Sequence, residues 1–403
     1  MEKLLNYLAE NRIENYVIKE GLASPELIGA TARESLVFVP RKKTSKKRIT
    51  DDFLYYFSKA DLQVVAAAEK DNNVVFMFRD GERVFSVSIE GDVLTARERM
   101  IPYGKGSLPV CNVETLLADR VEKLYSGNRS FLDLLDVVLL SKTIIDCEIL
   151  NAAFVNTFVK RGTRLDKSSL YEYADNIPEI FGDDFSEKAL ERGYVCDVNE
   201  ARDSFKQIVS KYLPLDLPMP KCKMKLTLVR HGKDDPAYVG GWSPTSLTKE
   251  GRKQAEKARD NISGEYDVFL ASDLVRAKET AEIINEKLKM EISYCEEFRE
   301  TNNGIFAGMK AEEFQSHPLK TYFADMKYFE AYPLGESPKT FFERIYKAFV
   351  GLMRSYSGKN VLLVTHGGVM TIFECLVNKY PYNAKVKIAP DNCEFRTYEL
   401  EIE

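Results

Sequence analysis

Only three histidines occur in the 403 residues, His231, His317 and His366. Two of them follow short apolar runs and precede glycine, in Leu228-Val229-Arg230-His231-Gly232 and Val364-Thr365-His366-Gly367-Gly368. Between them stand Ser272 and Arg276 in ASDLVRAKETA and Glu300 in FRETNNGIFAG. Phosphoryl transfer needs a nucleophile in line with the leaving oxygen, cations around the equatorial oxygens, and a proton for the leaving group. The set offers a candidate for each role. His231 would take the phosphoryl group as a phosphohistidine. Arg230 and Arg276 would grip its oxygens with forked donors, and His366 would be a further donor, best when protonated. Glu300 would be the general acid and then the base that activates water. Glycines after each histidine, Gly367 among them, let the backbone approach the phosphate. Lys233, Asp234 and Ser272 are candidates for substrate contact. This chemistry requires no metal, and no ligand cluster suggests one.

Taken in order, these motifs resemble the histidine phosphatase, or phosphoglycerate-mutase-like, superfamily. The resemblance covers about 180 residues and includes GWSPTSLTKEGRKQA from Gly241 and the turn Pro333-Leu334-Gly335-Glu336-Ser337. It implies the roles given to Arg230, His231, Arg276, Glu300 and His366. The chain departs from the family pattern at Lys233, where Glu or Gln is usual, and at Ala237, where mutases carry Asn. Glu300 and His366 are 66 residues apart (366 − 300), so the long insertion of true mutases is missing. These departures favour hydrolysis over mutase chemistry and leave the substrate open.

The elements that must position these residues alternate between strand and helix. Strands are expected at Leu226 to Val229, Val268 to Ala271 and Val361 to Val364. Helices are expected at Leu247 to Ile262, capped by Thr248, at Val275 to Leu288, and from Ser337-Pro338 to about Tyr356. Such alternation predicts an α/β fold, a three-layer α/β/α arrangement on a mostly parallel sheet. Both motif histidines then fall at carboxyl ends of strands, where such sheets bind ligands. His317, in a segment rich in Phe, Tyr and Lys between Ala311 and Tyr332, reads as part of a helical subdomain or lid rather than as a catalytic residue. Its aromatics, Phe314, Tyr322, Phe323, Tyr328 and Phe329, read mostly as core.

Three prolines in Leu213 to Met224 (Pro214, Pro218 and Pro220) mark a linker at 213–224. It separates a catalytic domain at 225–403 from an N-terminal half. That half divides into an α+β part at 1–110 and an almost wholly helical part at 111–212. Strands are expected at Val74 to Phe78 and Val84 to Ile89, turned by Asp80-Gly81. Helices are expected at Val113 to Tyr125, Phe131 to Leu140 and Asp146 to Val159. The opening residues up to Tyr16 follow an amphipathic helical pattern.

Val17 to Val39, with Asn112 to Leu140, resembles the AbiEii family of polymerase-β-like nucleotidyltransferases. The resemblance implies a nucleotidyltransferase fold with a helical extension, but a degenerate one. Two metal-binding carboxylates would be needed to hold Mg²⁺ against a triphosphate. Arg33, Glu34 and Ser35 stand where the family has its acidic pair, Glu20-Gly21 replaces its Gly-Gly turn, and Arg120 replaces its helix lysine. Asp133 and Asp136 keep acidic character but could equally be helix-surface residues. The half reads as a binding or assembly module, and Mg²⁺ is expected only if it retains activity.

The composition is globular, 44% hydrophobic and 30% charged, with net charge −5. Any phosphate or nucleic-acid contact must therefore be local. The basic run Arg41 to Arg48 could contact nucleotide or RNA, yet without interleaved aromatics it reads rather as a mobile solvated loop. Seven cysteines without CxxC spacing suggest reduced thiols, and no apolar run reaches bilayer length, so a cytoplasmic protein with no membrane contact is expected. A phosphatase acting on a small or macromolecular phosphate ester is the leading reading. A non-catalytic sensor of a phosphorylated or nucleotide ligand, and a nucleotidyltransferase coupled to a phosphatase, are the alternatives.

Overall fold

The computed structural model describes all residues except 1, 12, 21–34, 43, 71–72, 81–82, 91–97, 183, 321–325 and 403. The chain divides into two compact units, Met1–Leu213 and Pro214–Glu403.

The first unit holds a mixed seven-stranded sheet. Its strands are β1 (Tyr16–Glu20), β2 (Ser35–Pro40), β3 (Val64–Lys70), β4 (Asn73–Asp80), β5 (Arg83–Ile89), β6 (Glu98–Tyr103) and β7 (Gly106–Cys111), in the order β3-β4-β5-β2-β1-β7-β6. Helix α1 (Glu2–Asn11) ends five residues before the helical pattern of the sequence does. Tyr16, Val17 and Ile18 are all fully buried, and this run with two β-branched residues forms strand β1. Helix α2 (Lys46–Lys59) packs Ile49, Phe53 and Phe57 into the same core as Leu4, Leu5 and Leu8. The basic run is therefore not simply a loop. Ser45 caps α2, Lys46 pairs with Glu69, and Arg48 pairs with Asp52, while Arg41 donates to the carbonyls of Ile13 and Glu14. Asp80 stands opposite Arg83 in the backbone register of the β4–β5 hairpin, whose turn residue Gly81 lies outside the described residues, as do Gly21, Arg33 and Glu34.

A helical run follows: α3 (Val113–Tyr125), α4 (Phe131–Ser141), α5 (Cys147–Arg161), α6 (Lys167–Asp175), α7 (Ile177–Phe181), α8 (Phe185–Glu191) and α9 (Val198–Ser210). The side chains of Asn112, Ser130, Asp146, Asp166 and Asp197 cap five of these helices. Asp133 and Asp136, ambiguous in the sequence, are buried and pair with Arg120, which is itself 1% exposed. Asp119 joins Lys19 at 2.8 Å, Lys123 at 3.1 Å, Arg120 at 2.6 Å, and Arg161. Burial works to raise the pKa of Asp119, but these four cations hold its carboxylate well below the ordinary range.

The second unit is built on β8 (Cys222–Arg230), β9 (Val268–Ser272), β10 (Ile292–Cys295), β11 (Asn360–Thr365) and β12 (Phe395–Ile402), in the order β10-β9-β11-β8-β12. The first four are parallel, and β12 pairs antiparallel with β8. Strand β8 starts inside the stretch read as linker. Side-chain alternation divides the core by face. Val361 and Leu363 meet α13 (Pro338–Ser355) and α14 (Gly367–Val377), whereas Leu362 and Val364 meet α10 (Lys249–Asn261) and α11 (Val275–Leu288). Helices thus cover both faces of the sheet. A short α12 (Ala311–Ser316) lies in the segment before α13.

Candidate active site

Parallel pairing aligns the carboxyl ends of the central strands. Thr365, the last residue of β11, is in register with Arg230, the last of β8, and the His231 amide donates to the Thr365 carbonyl at 2.9 Å. The next residue of each strand is therefore a histidine at the same level, and the His231 and His366 rings lie 5.0 Å apart. Helix α11 leaves the neighbouring strand β9 and carries Arg276 in its first turn. Arg230, His231, Ser272, Arg276 and His366 converge at the carboxyl end of the sheet's central strands.

His231 is 5% exposed, so the nucleophile candidate is a buried residue as well as a strand-end one. Its Nδ1 lies 2.7 Å from the Gly232 carbonyl oxygen, which can only accept, so Nδ1 carries a proton. Nε2 then bears the lone pair and accepts from Arg276 Nε at 3.2 Å. Burial, followed by the charge of Arg276, pushes the His231 pKa well below its ordinary value, against the hydrogen bond to Gly232. The ring is neutral. Loop 390–394 fixes its backbone. Asn392 Nδ2 donates to the His231 carbonyl at 2.8 Å, and Cys393 N to that of Arg230 at 3.0 Å.

Arg230 donates one NH1 to the Pro390 carbonyl at 2.8 Å, while its Nε is buried without a hydrogen-bond partner. Nδ1 of His366 is likewise buried without one. Two polar atoms left unpaired in a buried site are costly unless a ligand meets them. Gly367 belongs to the same cradle, because a Cβ there would come within 3.3 Å of Arg230 Nε. Arg276 is 1% exposed, and its fork reaches Gly241 O at 2.7 Å and Ser243 Oγ at 3.3 Å. The site can accept an anion at a neutral imidazole nucleophile.

Glu300 lies in the connection between β10 and α12. Its Oε1 accepts from Thr301 N at 2.9 Å and its Oε2 from Gly368 N at 3.0 Å, in the first turn of α14. A Cβ at position 368 would fall 2.2 Å from Glu300 Oε1, so any side chain there would displace the Glu300 carboxylate. The Glu300 carbonyl accepts from Trp242 Nε1 at 2.6 Å and Arg344 at 3.1 Å. Gly368, Trp242, Arg344 and Asn392 were not identified from the sequence. Only the doubled glycine after His366 hinted at one of them.

The three candidates for substrate contact differ in placement. Lys233 reaches out to Glu250 on α10. Asp234 Oδ2 lies 3.5 Å from Arg276 Nε and accepts from Thr245 at 3.3 Å. Ser272 is fully buried and faces His366 Nε2 at 2.8 Å, which turns it away from open space. His317 packs edge-on against Phe306 at 5.0 Å, and Phe306 in turn clusters with Phe314 and Met326. Tyr322 and Phe323 lie outside the described residues.

The sequence pattern of the histidine phosphatase superfamily (branch 1) matches residues 226–402. The chain is 31% identical over 147 residues to an uncharacterized phosphatase, PhoE, of Bacillus subtilis, covering 36% of this chain and 72% of that protein. It is 28% identical over 155 residues to phosphoglycerate mutase-like protein 4 of Arabidopsis thaliana, covering 36% and 67%. It is 27% identical over 155 residues to the adenosylcobalamin/alpha-ribazole phosphatase of Escherichia coli, covering 37% and 76%.

Proposed function

From the premise that the chain belongs to the histidine phosphatase superfamily and is a phosphatase, we propose that Pro214–Glu403 hydrolyses phosphate monoesters through a phosphohistidine on His231. In the first step the Nε2 lone pair attacks phosphorus and the bond to the leaving oxygen breaks. Glu300 delivers a proton to that oxygen. Its carboxylate then takes a proton from water, whose oxygen attacks phosphorus and breaks the N–P bond. Arg230, Arg276 and the His366 ring hold the equatorial oxygens, with the Gly367 backbone close by. Their cations and donors supply the charge stabilisation, so the reaction proceeds without a metal ion.

The observation that supports this reading most is the His231 ring itself. It is neutral, with Nε2 unprotonated, beside two buried donor positions that have no partner of their own. Hydrolysis rather than mutase chemistry follows from Ala237 and from the short Glu300–His366 spacing. A rapid quench with ³²P-labelled substrate tests it. An acid-labile, base-stable phosphoenzyme is expected in the wild type and is absent from His231→Ala. A phosphoenzyme that persists in His231→Ala would reject the assignment.

The first unit serves in this reading as a binding or assembly module on a degenerate nucleotidyltransferase-like fold. What supports it is the commitment of Asp133 and Asp136 to Arg120, which leaves those carboxylates engaged in an internal ion network. Contact with nucleotide or RNA through this unit, with Mg²⁺ only for an active nucleotidyltransferase, is tested by Mg²⁺-dependent incorporation of labelled nucleotide. Failure across all four NTPs would exclude transferase activity. No described helix is long and apolar enough to cross a membrane. The seven cysteines, none in a disulfide, favour the cytoplasm as the working compartment.

A further inference from the structure

The Ser272 hydroxyl lies 2.8 Å from Nε2 of His366, and both residues are fully buried. Ser272 ends β9 and His366 follows β11, so the contact joins two neighbouring strand ends. The amide of Leu274 stands 3.4 Å from the same oxygen. An amide N–H can only donate, so it takes one of the hydroxyl's two acceptor positions, and the buried hydroxyl has no acceptor for its single proton among the described residues other than the histidine. Nε2 of His366 is then an acceptor, and a neutral ring carries its own proton on Nδ1. Nδ1 is the buried atom without a partner.

We propose that Ser272 is a positioning residue that sets the tautomer of His366, so that a neutral imidazole offers Nδ1–H to a phosphoryl oxygen. The proposal rests on the reading of Arg230, His231, Arg276 and His366 as the phosphate pocket. It replaces direct substrate contact as the task of Ser272, and imidazolium as the donor form of His366. Burial first, then Arg276, His231, Arg230 and Arg344, disfavours a charged His366 ring. The acid on this side is Glu300, held by the Gly368 amide in the first turn of α14. With its charge suppressed, the ring depends on the right tautomer to donate. Without the serine proton, the neutral ring can hold hydrogen on Nε2 and turn a lone pair toward an anionic oxygen.

The test uses the full chain labelled with ¹⁵N-histidine, whose three histidines are assigned with His317→Ala and His366→Ala. Long-range ¹H–¹⁵N spectra of the free wild type are expected to show the Nδ1–H tautomer at His366. Ser272→Ala is expected to shift it toward Nε2–H. Phosphatase kcat, measured well below the melting temperature that the lost buried hydrogen bond lowers, is expected to fall by on the order of 10- to 100-fold in Ser272→Ala. That deficit shrinks as pH is lowered, because an imidazolium carries both N–H groups. A wild-type ring protonated on Nε2, or a Ser272→Ala deficit equal at every pH, would overturn the proposal. The spectra are taken without substrate, so they judge the tautomer whether or not the phosphatase reading stands.

Discussion

Arg276 Nε donates to His231 Nε2 at 3.2 Å, so a guanidinium occupies the lone pair that the reaction needs. The two groups bond each other directly. An incoming phosphoryl group takes the arginine's donor for its oxygens and frees the lone pair for its phosphorus. The remaining Arg276 contacts, to Gly241 O and Ser243, aim the fork.

Arg276→Lys is therefore not conservative. A single ammonium cannot keep both the Gly241 contact and the phosphate. The expected loss in kcat/KM is on the order of 10²–10³-fold, the range for one preorganised donor in an enclosed site. Steady-state kinetics with an aryl phosphate measure it, and a loss under threefold would reject this role.

The buried histidines make a prediction about pH. Burial and the Arg276 charge depress the pKa of both His231 and His366 in the folded chain. Unfolded histidine titrates near about 6.5, so below that pH the unfolded state binds more protons and stability falls. The second unit is expected to melt at lower temperature as pH drops from 7 to 5. His231→Ala should flatten that slope, as read by calorimetry. Activity should persist below pH 6.5, because the nucleophile stays unprotonated there.

Glu300→Gln tests the acid. A carboxamide nitrogen cannot accept from Thr301 N and Gly368 N as the carboxylate oxygens do. Beyond the lost proton, one contact must be given up. Alkyl phosphates should slow far more than p-nitrophenyl phosphate, whose leaving group departs without a proton. Equal slowing of both would show that Glu300 is not the acid.

In the first unit, Asp136→Ala removes one partner of Arg120 in a dry network. Breaking a buried pair from one side costs about 3–5 kcal/mol. Chemical denaturation followed by far-UV circular dichroism should show that loss. Asp136→Ala with wild-type stability would mean that Arg120 finds its charge balance elsewhere.

The catalytic strands and helices were legible because their signals are local. Val275 to Leu288 is helical over the range that its apolar spacing outlines, and Thr248 and Ser337 cap the helices that follow them. Strand β12 was not, since its polar–apolar alternation at the exposed sheet edge carries little hydrophobic signal. Trp242, Arg344 and Asn392 escaped for another reason. Each acts on a backbone carbonyl of a distant residue, a relation that no sequence spacing records. The burial of Asp119, Arg120 and Asp136 was also hidden, because charges on a helix read as surface until the opposite charges on β1, α4 and α5 are placed against them.

Hydrolysis of p-nitrophenyl phosphate by the full chain and by His231→Ala, with EDTA present, tests the central claim most directly. Turnover by the wild type that survives EDTA and disappears in His231→Ala is the expected result. Turnover that EDTA abolishes, or that His231→Ala retains, would contradict a metal-independent phosphohistidine mechanism.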